Sequence, residues 1–253
     1  MSTIAIAAGL ADALRRATRV VALTGAGISA ESGVPTFRDA QTGLWAKYDP
    51  RELATPAAFA RHPKLVWDWY AARRGALAHV VPNPGHVALA RMDVLVPEFL
   101  LATQNVDGLH ARAGSRRLIE LHGNIARVRC SREDRVVERW TEPGDDLPPR
   151  CPHCGAWLRP DVVWFEEMLP AAALDRAEQA ARRAEVMVVV GTSAEVWPAA
   201  GLAHTAKAAG ARLVEVNPEA TPLSRLADDV LRAPSGIALP ALVAAAWPDA
   251  AAC

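Results

Sequence analysis

The hydrophobic pattern of the chain consists mainly of short apolar runs, each followed by a polar or glycine-containing segment. Four such runs predict buried strands, at Val20–Leu23, Phe99–Thr103, Val186–Val190 and Arg212–Val216. Short apolar runs of this kind are typical of parallel strands covered by helices on both sides. The pattern therefore predicts an α/β protein with a doubly wound, Rossmann-like parallel sheet.

Two segments depart from this pattern and predict small inserts. Residues 43–81 carry apolar positions at spacings typical of short helices, and the segment from Cys130 to Cys154 is charged, rich in turns and contains three cysteines. We expect one domain over residues 1–253, with a core of 1–42, 82–126 and 160–250. A helical insert at 43–81 and a small, zinc-ribbon-like, cysteine-containing subdomain at 127–159 complete it.

Composition narrows the class of protein. Hydrophobic residues make up 51% of the 253 positions, which favours a globular protein. The 28 basic and 28 acidic residues cancel, so the basic excess of a nucleic-acid-binding protein is missing. No apolar run reaches the roughly 20 residues that span a bilayer. We expect a monomer that binds neither nucleic acid nor membrane.

The first residues and the cysteines bear on location. The basic residues of the first 19 positions follow the apolar ones, the reverse of a signal peptide, so we expect an amphipathic first helix. Three of the 4 cysteines lie close together in the sequence, which favours a metal site over a disulfide framework. These observations predict a cytoplasmic protein.

The first strand leads into a glycine turn of the kind that binds nucleotides. The sequence TGAG follows the strand, and such glycines let the backbone approach a pyrophosphate that faces a helix N-terminus. The next glycine comes late, at Gly33, and no acidic residue closes a second strand about 20 residues on, where a dehydrogenase holds the ribose. Hydride transfer is therefore a distant alternative.

Two further segments carry candidate chemistry. The loop TQNVDGLH, at 103–110, follows the second strand, and ligands of open α/β sheets bind beyond such strand ends. Its Gln, Asn and Asp side chains can bond to ribose hydroxyls and a carboxamide, although a polar turn capped by Asp107 is the alternative. His122, in the sequence LHG, can act as a general base near neutral pH or can be a structural histidine.

Taken together, these segments resemble the sirtuins, the family of NAD-dependent protein deacylases. The resemblance lies in VVALTGAGISAESGVPTFRD, TQNVDGLH, LHG, VVWFEE and GTSAEVWPA, which occur in the family's order between about Val20 and Pro240. It implies NAD as cosubstrate and acylated lysine-containing proteins as partners. It also implies nicotinamide and O-acyl-ADP-ribose as products, with His122 as the catalytic base.

The resemblance further implies an NAD-binding set drawn from several loops. This set is Gly25, Ala26, Gly27, Ser29, Thr36, Phe37, Arg38, Gln104, Asn105, Asp107, Gly191, Thr192, Ser193, Asn217, Ser235 and Ile237. By the same resemblance, Arg38 holds phosphate, Phe37 covers the nicotinamide side, and Asn105 and Asp107 line the nicotinamide and ribose pocket. His86, His110 and His204 have no comparable context, so we expect them to be structural or solvent-facing.

Other uses of the same NAD site remain open. A mono-ADP-ribosyltransferase would transfer the ADP-ribose itself to an acceptor on a target protein. A non-catalytic NAD or ADP-ribose sensor is the other alternative, although a sensor has no need of a base such as His122 together with Asn105 and Asp107.

The segment VVWFEE, at 162–167, resembles the sirtuin sequence VWFGE, which pairs with the substrate as an added strand. The resemblance assigns substrate binding to Val163 and Phe165, and a merely structural buried strand is the alternative. The chain departs from the family at Glu166, where the family has glycine. If that position needs a positive φ or a close approach, the side chain here alters peptide entry.

Tyr70 and Arg73 are three residues apart, so they share a face if the segment is helical. A surface arginine beside a half-buried tyrosine is one interpretation. A branch of the sirtuins, class III, carries this pair and binds with it the distal carboxylate of succinyl- or malonyl-lysine. The resemblance therefore predicts that succinyl- and malonyl-lysine are preferred and that acetyl-lysine is also processed.

Three cysteines are candidate metal ligands. Cys151 and Cys154 form a C-x-x-C knuckle, which suits tetrahedral zinc together with Cys130. The family has a second C-x-x-C where this chain has CSRE, so the fourth thiolate is missing. Glu133, Asp134 or a water could take its place, or hydrophobic packing could hold the subdomain without metal. The terminal Cys253 is assigned no role.

Overall fold

The computed structural model describes residues 4–35, 49, 53–141 and 148–249 of the 253-residue chain. Its main feature is a six-stranded sheet in the order β3-β2-β1-β6-β7-β8, in which every neighbouring pair is parallel. The strands are β1 (Arg19–Thr24), β2 (Glu98–Thr103), β3 (Leu118–Glu120), β6 (Val186–Val190), β7 (Arg212–Val216) and β8 (Asp229–Leu231).

Helices cover both faces of this sheet. One face packs against α1 (Ala8–Arg16), α4 (Pro84–Leu95) and α8 (Ser235–Ala246), through a core that includes Leu14, Leu89 and Leu242. The other face packs against α6 (Ala171–Arg183) and α7 (Gly201–Ala208), through a core that includes Ala181 and Leu202. The predicted doubly wound α/β fold is therefore confirmed, together with its four apolar strands.

Short elements complete the core. A 3-10 helix, Ala26–Ser32, follows β1, and α5 (Leu109–Arg112) follows β2. A second 3-10 helix, Pro222–Arg225, lies between β7 and β8. The strands β3 and β8 have only three residues each, which is too short for an apolar run, and the sequence did not predict them.

A small lobe outside the six-stranded sheet contains most of the described residues of the two predicted inserts. We use this name for residues 53–78, 123–141 and 148–168, which contain α2 (Pro56–Arg61), α3 (Pro63–Ala78) and the antiparallel pair β4 (Gly123–Cys130) and β5 (Leu158–Val162). Two apolar clusters join its parts. One contains Phe59, Val66, Trp69, Tyr70, Ile125, Val162 and Trp164, and the other contains Trp67, Val128, Cys130, Cys151 and Leu158.

The helices and the cysteine-containing strands of the small lobe thus share their cores. The strand β4 runs across the domain boundary predicted after residue 126, and the predicted division of the chain stays a prediction. The strand β5 ends at Val162, so only the first residue of the segment 162–167 belongs to it. Within the described residues, no helix is both long and apolar enough to cross a bilayer.

Candidate active site

The carboxyl ends of β1, β2, β6 and β7 bring four of the predicted loops together. Gly25 donates its amide to Val190 O at 3.0 Å, and Gly27 donates to Gly191 O at 2.8 Å. The loop after β1 therefore lies directly on the loop after β6. We call this region the sheet edge; it consists of residues 24–29, 103–110, 190–194 and 217.

Close backbone contact explains the glycines of the sheet edge. A Cβ on Gly27 would lie 2.8 Å from the Cα of Gly191, and one on Gly191 would lie 2.3 Å from the amide nitrogen of Ile28. Gly191 also has a φ of 57°, which L side chains rarely adopt. These two positions exclude any side chain, so glycine is required for packing as well as for the predicted approach to a phosphate.

Side chains connect the other loops to the same edge. The Gln104 amide donates to Thr192 Oγ1 at 3.1 Å, and the Asn217 amide donates to Thr192 O at 3.0 Å. Thr192 therefore lies between two of the predicted NAD-binding side chains, and Ser193 follows it, half-buried. The structure brings these predicted residues to one edge, as parallel strands require.

Ser29, Asn105 and Asp107 form a connected group beneath this edge. The Ser29 hydroxyl donates to Asp107 Oδ2 at 2.7 Å and accepts from Asn105 Nδ2 at 3.2 Å. Ser29 is fully buried, and Asn105 is buried as well. The carboxylate and amide are thereby fixed in orientation before any ligand arrives.

His86 joins this group, and sequence reasoning did not find it. Its Nδ1 accepts from the Asn83 amide at 3.3 Å, so its Nε2 carries the proton and donates to Ser29 Oγ at 3.3 Å. Burial lowers the pKa of His86, although Asp107 and Glu31 oppose that effect, which agrees with a neutral ring. The signal in the sequence was the capping box at the start of α4, in which Asn83 and His86 bond reciprocally.

His110 is the second buried histidine that the sequence placed outside the site. Its ring centroid is 4.8 Å from that of His86, and its Nε2 lies 2.8 Å from Thr24 Oγ1. Burial, and then the neighbouring His86, lower the pKa of His110 to about 3. The structural role expected for His86 and His110 agrees with their burial, but both support the site directly.

His122 has the geometry of a general base. Its Nδ1 lies 2.8 Å from Gln104 O, and because a carbonyl only accepts, Nδ1 carries the proton. The Nε2 atom is therefore left with its lone pair. Burial lowers the pKa of His122, partly offset by the bond to Gln104, so the ring is neutral near pH 7. A Cβ on Gly123 would lie 2.1 Å from Asp161 O, which explains the glycine after it.

The segment predicted to bind substrate is attached to the main chain of His122. Val163 donates its amide to His122 O at 2.9 Å, and Phe165 donates to Ala54 O at 2.9 Å. Val163 is half-buried and the Phe165 side chain is exposed. Glu166 has a φ of 71°, so the position where the family has glycine does adopt the left-handed conformation.

Tyr70 and Arg73 lie on α3 in the small lobe. The Tyr70 hydroxyl accepts from Trp164 Nε1 at 3.0 Å, and burial raises the pKa of Tyr70 to about 12. The phenol is therefore neutral and keeps a hydrogen to donate. The Arg73 guanidinium lies 4.9 Å from the ring centroid of Trp69, and burial lowers its pKa. Within the described residues, Arg73 has no ion pair and no hydrogen bond.

Four side chains of the small lobe could hold a metal ion. The ligand atoms of Cys130, Glu133, Cys151 and Cys154 all lie within 4.8 Å of one another, with Cys130 Sγ 3.4 Å from Cys154 Sγ. Asp134, the other acidic candidate, is not part of this group and pairs with Arg129 at 2.9 Å, while Glu133 also pairs with Arg135 at 2.9 Å. Three sulfurs and one carboxylate oxygen form a donor set that suits tetrahedral zinc.

Ser235 and Ile237, two of the predicted NAD-binding residues, lie beside the 3-10 helix Ala26–Ser32. Ser235 and the amide of Gly236 both donate to the Glu31 carboxylate, at 3.0 Å and 2.7 Å. Ile237 is partly exposed next to them. The remaining predicted NAD-binding residues, Thr36, Phe37 and Arg38, lie outside the described residues.

Comparison with known proteins gives the family of this strand-end site. Residues 25–198 match the Sir2 family, the sirtuins, and the chain belongs to it. An NAD-dependent protein deacylase of Aquifex aeolicus is 56% identical over 209 residues, covering 83% of this chain and 87% of that protein. One from Ralstonia nicotianae is 53% identical, covering 91% and 93%.

Solved structures agree with this assignment. A Sir2 homologue in complex with NAD superimposes with a TM-score of 0.87 at 46% identity, covering 96% of this chain and 94% of that one. A mutant Sir2 homologue in complex with 2′-O-acetyl ADP ribose superimposes with a TM-score of 0.89 at 45% identity, covering 98% and 99%. The family expected from the sequence is thus confirmed; its class III branch is not distinguished by these comparisons.

Proposed function

We propose that this protein removes acyl groups from lysine side chains of proteins in an NAD-dependent reaction. The observation that carries the proposal is His122, whose Nδ1 proton is fixed by Gln104 O while Nε2 stays free. The main-chain carbonyl of the same residue accepts a hydrogen bond from the Val163 amide, and the adjacent sheet edge resembles a nucleotide-binding site. The deacylase names of the relatives from Aquifex and Ralstonia support the same activity.

The proposed NAD site is the sheet edge. Gly25, Ala26 and Gly27 with Gly191, Thr192 and Ser193 suit phosphates and ribose, because they offer backbone amides and hydroxyls at strand ends. Bound NAD supplies the ribose that accepts the acyl group, with nicotinamide and O-acyl-ADP-ribose as products. The protein's own contribution is orientation and proton transfer.

The side chains near His122 divide this work. His122 Nε2 takes a proton from a hydroxyl of the acceptor, as a neutral imidazole can near pH 7. Asn105 and Asp107 would stabilise the positive charge that the ribose of bound NAD develops as nicotinamide leaves, and Ser29 holds both side chains in place. Asn217, Ser235 and Ile237, together with the undescribed Thr36, Phe37 and Arg38, complete the proposed cofactor site.

A direct assay tests this function. Peptides with succinyl-, malonyl- or acetyl-lysine would be incubated with the protein, with and without NAD, and all products identified by mass spectrometry. We expect free lysine, nicotinamide and O-acyl-ADP-ribose in equal amounts, and only with NAD. ADP-ribose attached to a protein acceptor would instead indicate a mono-ADP-ribosyltransferase, and undiminished deacylation without NAD would refute the proposal.

We further propose that succinyl- and malonyl-lysine are preferred. The support is Arg73, a largely buried cation with no anionic partner among the described residues, beside a Tyr70 hydroxyl that can still donate. Such a pair suits a carboxylate, since charge-assisted hydrogen bonds are stronger than neutral ones. Each is worth about 1.5–3 kcal/mol, which is enough to select between acyl groups.

The Arg73→Met variant tests this preference. We expect it to lower kcat/KM for succinyl-lysine by about tenfold or more, and to change the acetyl-lysine value much less. Arg74→Met is the matched control, because Arg74 is the next residue on α3 and lies over Trp67 and Trp140 instead. Equal losses on both substrates, or a wild-type preference for acetyl-lysine, would contradict the assignment.

Zinc is the proposed structural metal, bound by Cys130, Cys151 and Cys154. Glu133 is the proposed fourth ligand, because it stands three residues after Cys130, where the family has its fourth cysteine. Metal analysis of purified protein tests occupancy, and Glu133→Cys should raise zinc affinity.

We further propose that the protein is a monomer and lies in the cytoplasm. Light scattering after size exclusion would check the first point, and fractionation of cells would check the second.

A further inference from the structure

The segment Val163–Glu167 is held rigidly on both sides of Glu166. On one side, Phe165 donates its amide to Ala54 O at 2.9 Å. On the other, the Glu167 carboxylate accepts from the Trp164 amide at 2.8 Å and pairs with Arg159. Glu166 therefore cannot change its backbone conformation without the loss of these contacts.

The conformation of Glu166 is unfavourable for an L residue. Its φ of 71° lies in the left-handed region, which non-glycine residues without a short polar side chain rarely adopt. Strained residues of this kind persist where the surrounding structure holds them, and they concentrate at functional sites. A glutamate in place of glycine at this position thus calls for a functional explanation.

The charge of Glu166 is uncompensated. Its side chain is exposed, and within the described residues it forms no ion pair and no hydrogen bond. The neighbouring Glu167 is neutralised by Arg159 at 2.5 Å. Glu166 therefore gives this segment a net negative charge that faces solvent.

The position of this charge is close to the reacting centre. Val163 is bonded to the main chain of His122, and three residues of extended chain span at most about 10 Å. Phe165, whose ring is exposed, lies between Val163 and Glu166 in the sequence. A peptide that pairs beside Val163 with its lysine directed at His122 would therefore lie within a few residues of the Glu166 carboxylate.

We infer that Glu166 is a specificity-determining residue that favours substrates with a lysine or arginine close to the acyl-lysine in sequence. This inference rests on the proposed deacylation. An exposed ion pair contributes modestly, so we expect about a two- to fivefold advantage in kcat/KM for a peptide with one flanking cation over its isosteric neutral analogue. A flanking glutamate should have the opposite effect.

The test measures flanking-charge preference as a ratio. Three succinyl-lysine peptides that differ only in the adjacent residue, arginine, glutamine or glutamate, would be assayed with saturating NAD at low and high salt. For the wild type we expect the order arginine, glutamine, glutamate, and a flatter series at about 0.5 M salt, where charges a Debye length apart are screened.

Variants separate charge from shape. Glu166→Gln keeps the side chain's size and should bring the arginine-to-glutamate ratio towards one, and Glu166→Lys should invert it. Glu98→Gln is the control, because Glu98 is an exposed carboxylate at the amino end of β2, away from the sheet edge, and should keep the wild-type ratio.

Two results would overturn the inference while leaving deacylation intact. One is a wild-type ratio near one on peptides that are all processed, and the other is a ratio that Glu166→Gln and Glu166→Lys do not change. Failure to process any acyl-lysine peptide would instead refute the proposed function, and the inference with it.

Discussion

The sheet edge and the small lobe both contribute to the candidate site, but different interactions hold them. At the sheet edge, backbone groups meet directly, as in the contact of Gly27 with Gly191 at 2.8 Å. In the small lobe, arginine side chains lie over tryptophan rings, with Arg159 at 3.4 Å from the Trp164 ring centroid. Short local motifs therefore specify the sheet edge, whereas the small lobe depends on side-chain packing between distant parts of the sequence.

Backbone strain follows the same division. Among the described residues, three that are not glycine have a positive φ, and two of them, Asp134 and Glu166, belong to the small lobe. The third, Ala194, lies at the sheet edge, where glycines such as Gly191 take most of the unusual conformations. The small lobe therefore carries more of the conformational cost that other contacts must offset.

Removal of the metal should destabilise the small lobe much more than the sheet edge, and this is the largest expected difference between the two regions. A structural zinc site supplies on the order of 10 kcal/mol of folding free energy in zinc-finger peptides, so chelation should unfold the small lobe. We expect tryptophan fluorescence to change, because Trp67 and Trp157 pack there, while the helical circular dichroism of the core is largely kept. Loss of activity with unchanged fluorescence would point to a catalytic metal instead.

The His122→Ala variant changes a residue that lies between the sheet edge and the small lobe, and it tests whether catalysis can be lost while NAD binding is kept. We expect kcat to fall about 10²–10⁴-fold, because the variant lacks the general base. NAD binding, measured by calorimetry, should be nearly unchanged, since the sheet edge is intact. His79→Ala, which replaces an exposed histidine at the end of α3, is the control, and a His122→Ala variant with near wild-type turnover would remove His122 from its role.

Acid should destabilise the folded protein through two buried histidines, His110 in the sheet edge and His86 next to it. Burial lowers the pKa of His86 and takes that of His110 from 6.5 to about 3, so the unfolded chain binds protons that the folded chain does not. Stability is therefore full above pH 6.5 and falls as the pH decreases towards the folded pKa, by up to about 1.4 kcal/mol per pH unit for each histidine.

Urea unfolding at pH 7.5, 6 and 5 checks this expectation. The urea concentration at the midpoint should be highest at pH 7.5 and lowest at pH 5. A His110→Gln variant should show a shallower dependence over the same range. Midpoints that do not depend on pH would contradict a lowered pKa of these rings in the folded protein.

The smallest expected effect concerns strain at Glu166. Glu166→Gly relieves the left-handed conformation but adds freedom to the unfolded chain, so we expect a net gain of about 0.5–1 kcal/mol in unfolding free energy. Glu166→Gln keeps the strain and should give no gain. A destabilised Glu166→Gly variant in urea unfolding would show that the glutamate makes a stabilising contact.

The sequence predicted the core well, for a physical reason. A strand such as Val186–Val190 is a continuous apolar run, and a run buried on both faces is visible without knowledge of its neighbours. The three-residue strands Leu118–Glu120 and Asp229–Leu231 carry no such signal, because their pairing with β2 and β7 decides them. The local sequence pattern therefore predicts the four central strands and not the outer strands β3 and β8.

The candidate site was predictable to a similar extent. The residues of the glycine turns and polar loops fall at strand ends, as expected. His86 and His110 were not assigned to the site, because their roles depend on contacts with Ser29 and Thr24 far away in the sequence. Spacing alone also left Glu133 and Asp134 as equal candidates for the metal. Both carboxylates pair with an arginine, and of the two it is Glu133 whose oxygen lies within 4.8 Å of the three sulfurs.

The bond between His122 and Gln104 has a consequence for how the site can evolve. The acceptor is a main-chain carbonyl, which every amino acid possesses, so no substitution at position 104 can delete it. The ring orientation is encoded in the path of the loop after β2 and not in the identity of a side chain. Natural variants should therefore lose this control through insertions or deletions between residues 104 and 122, while point changes at 104 leave it in place.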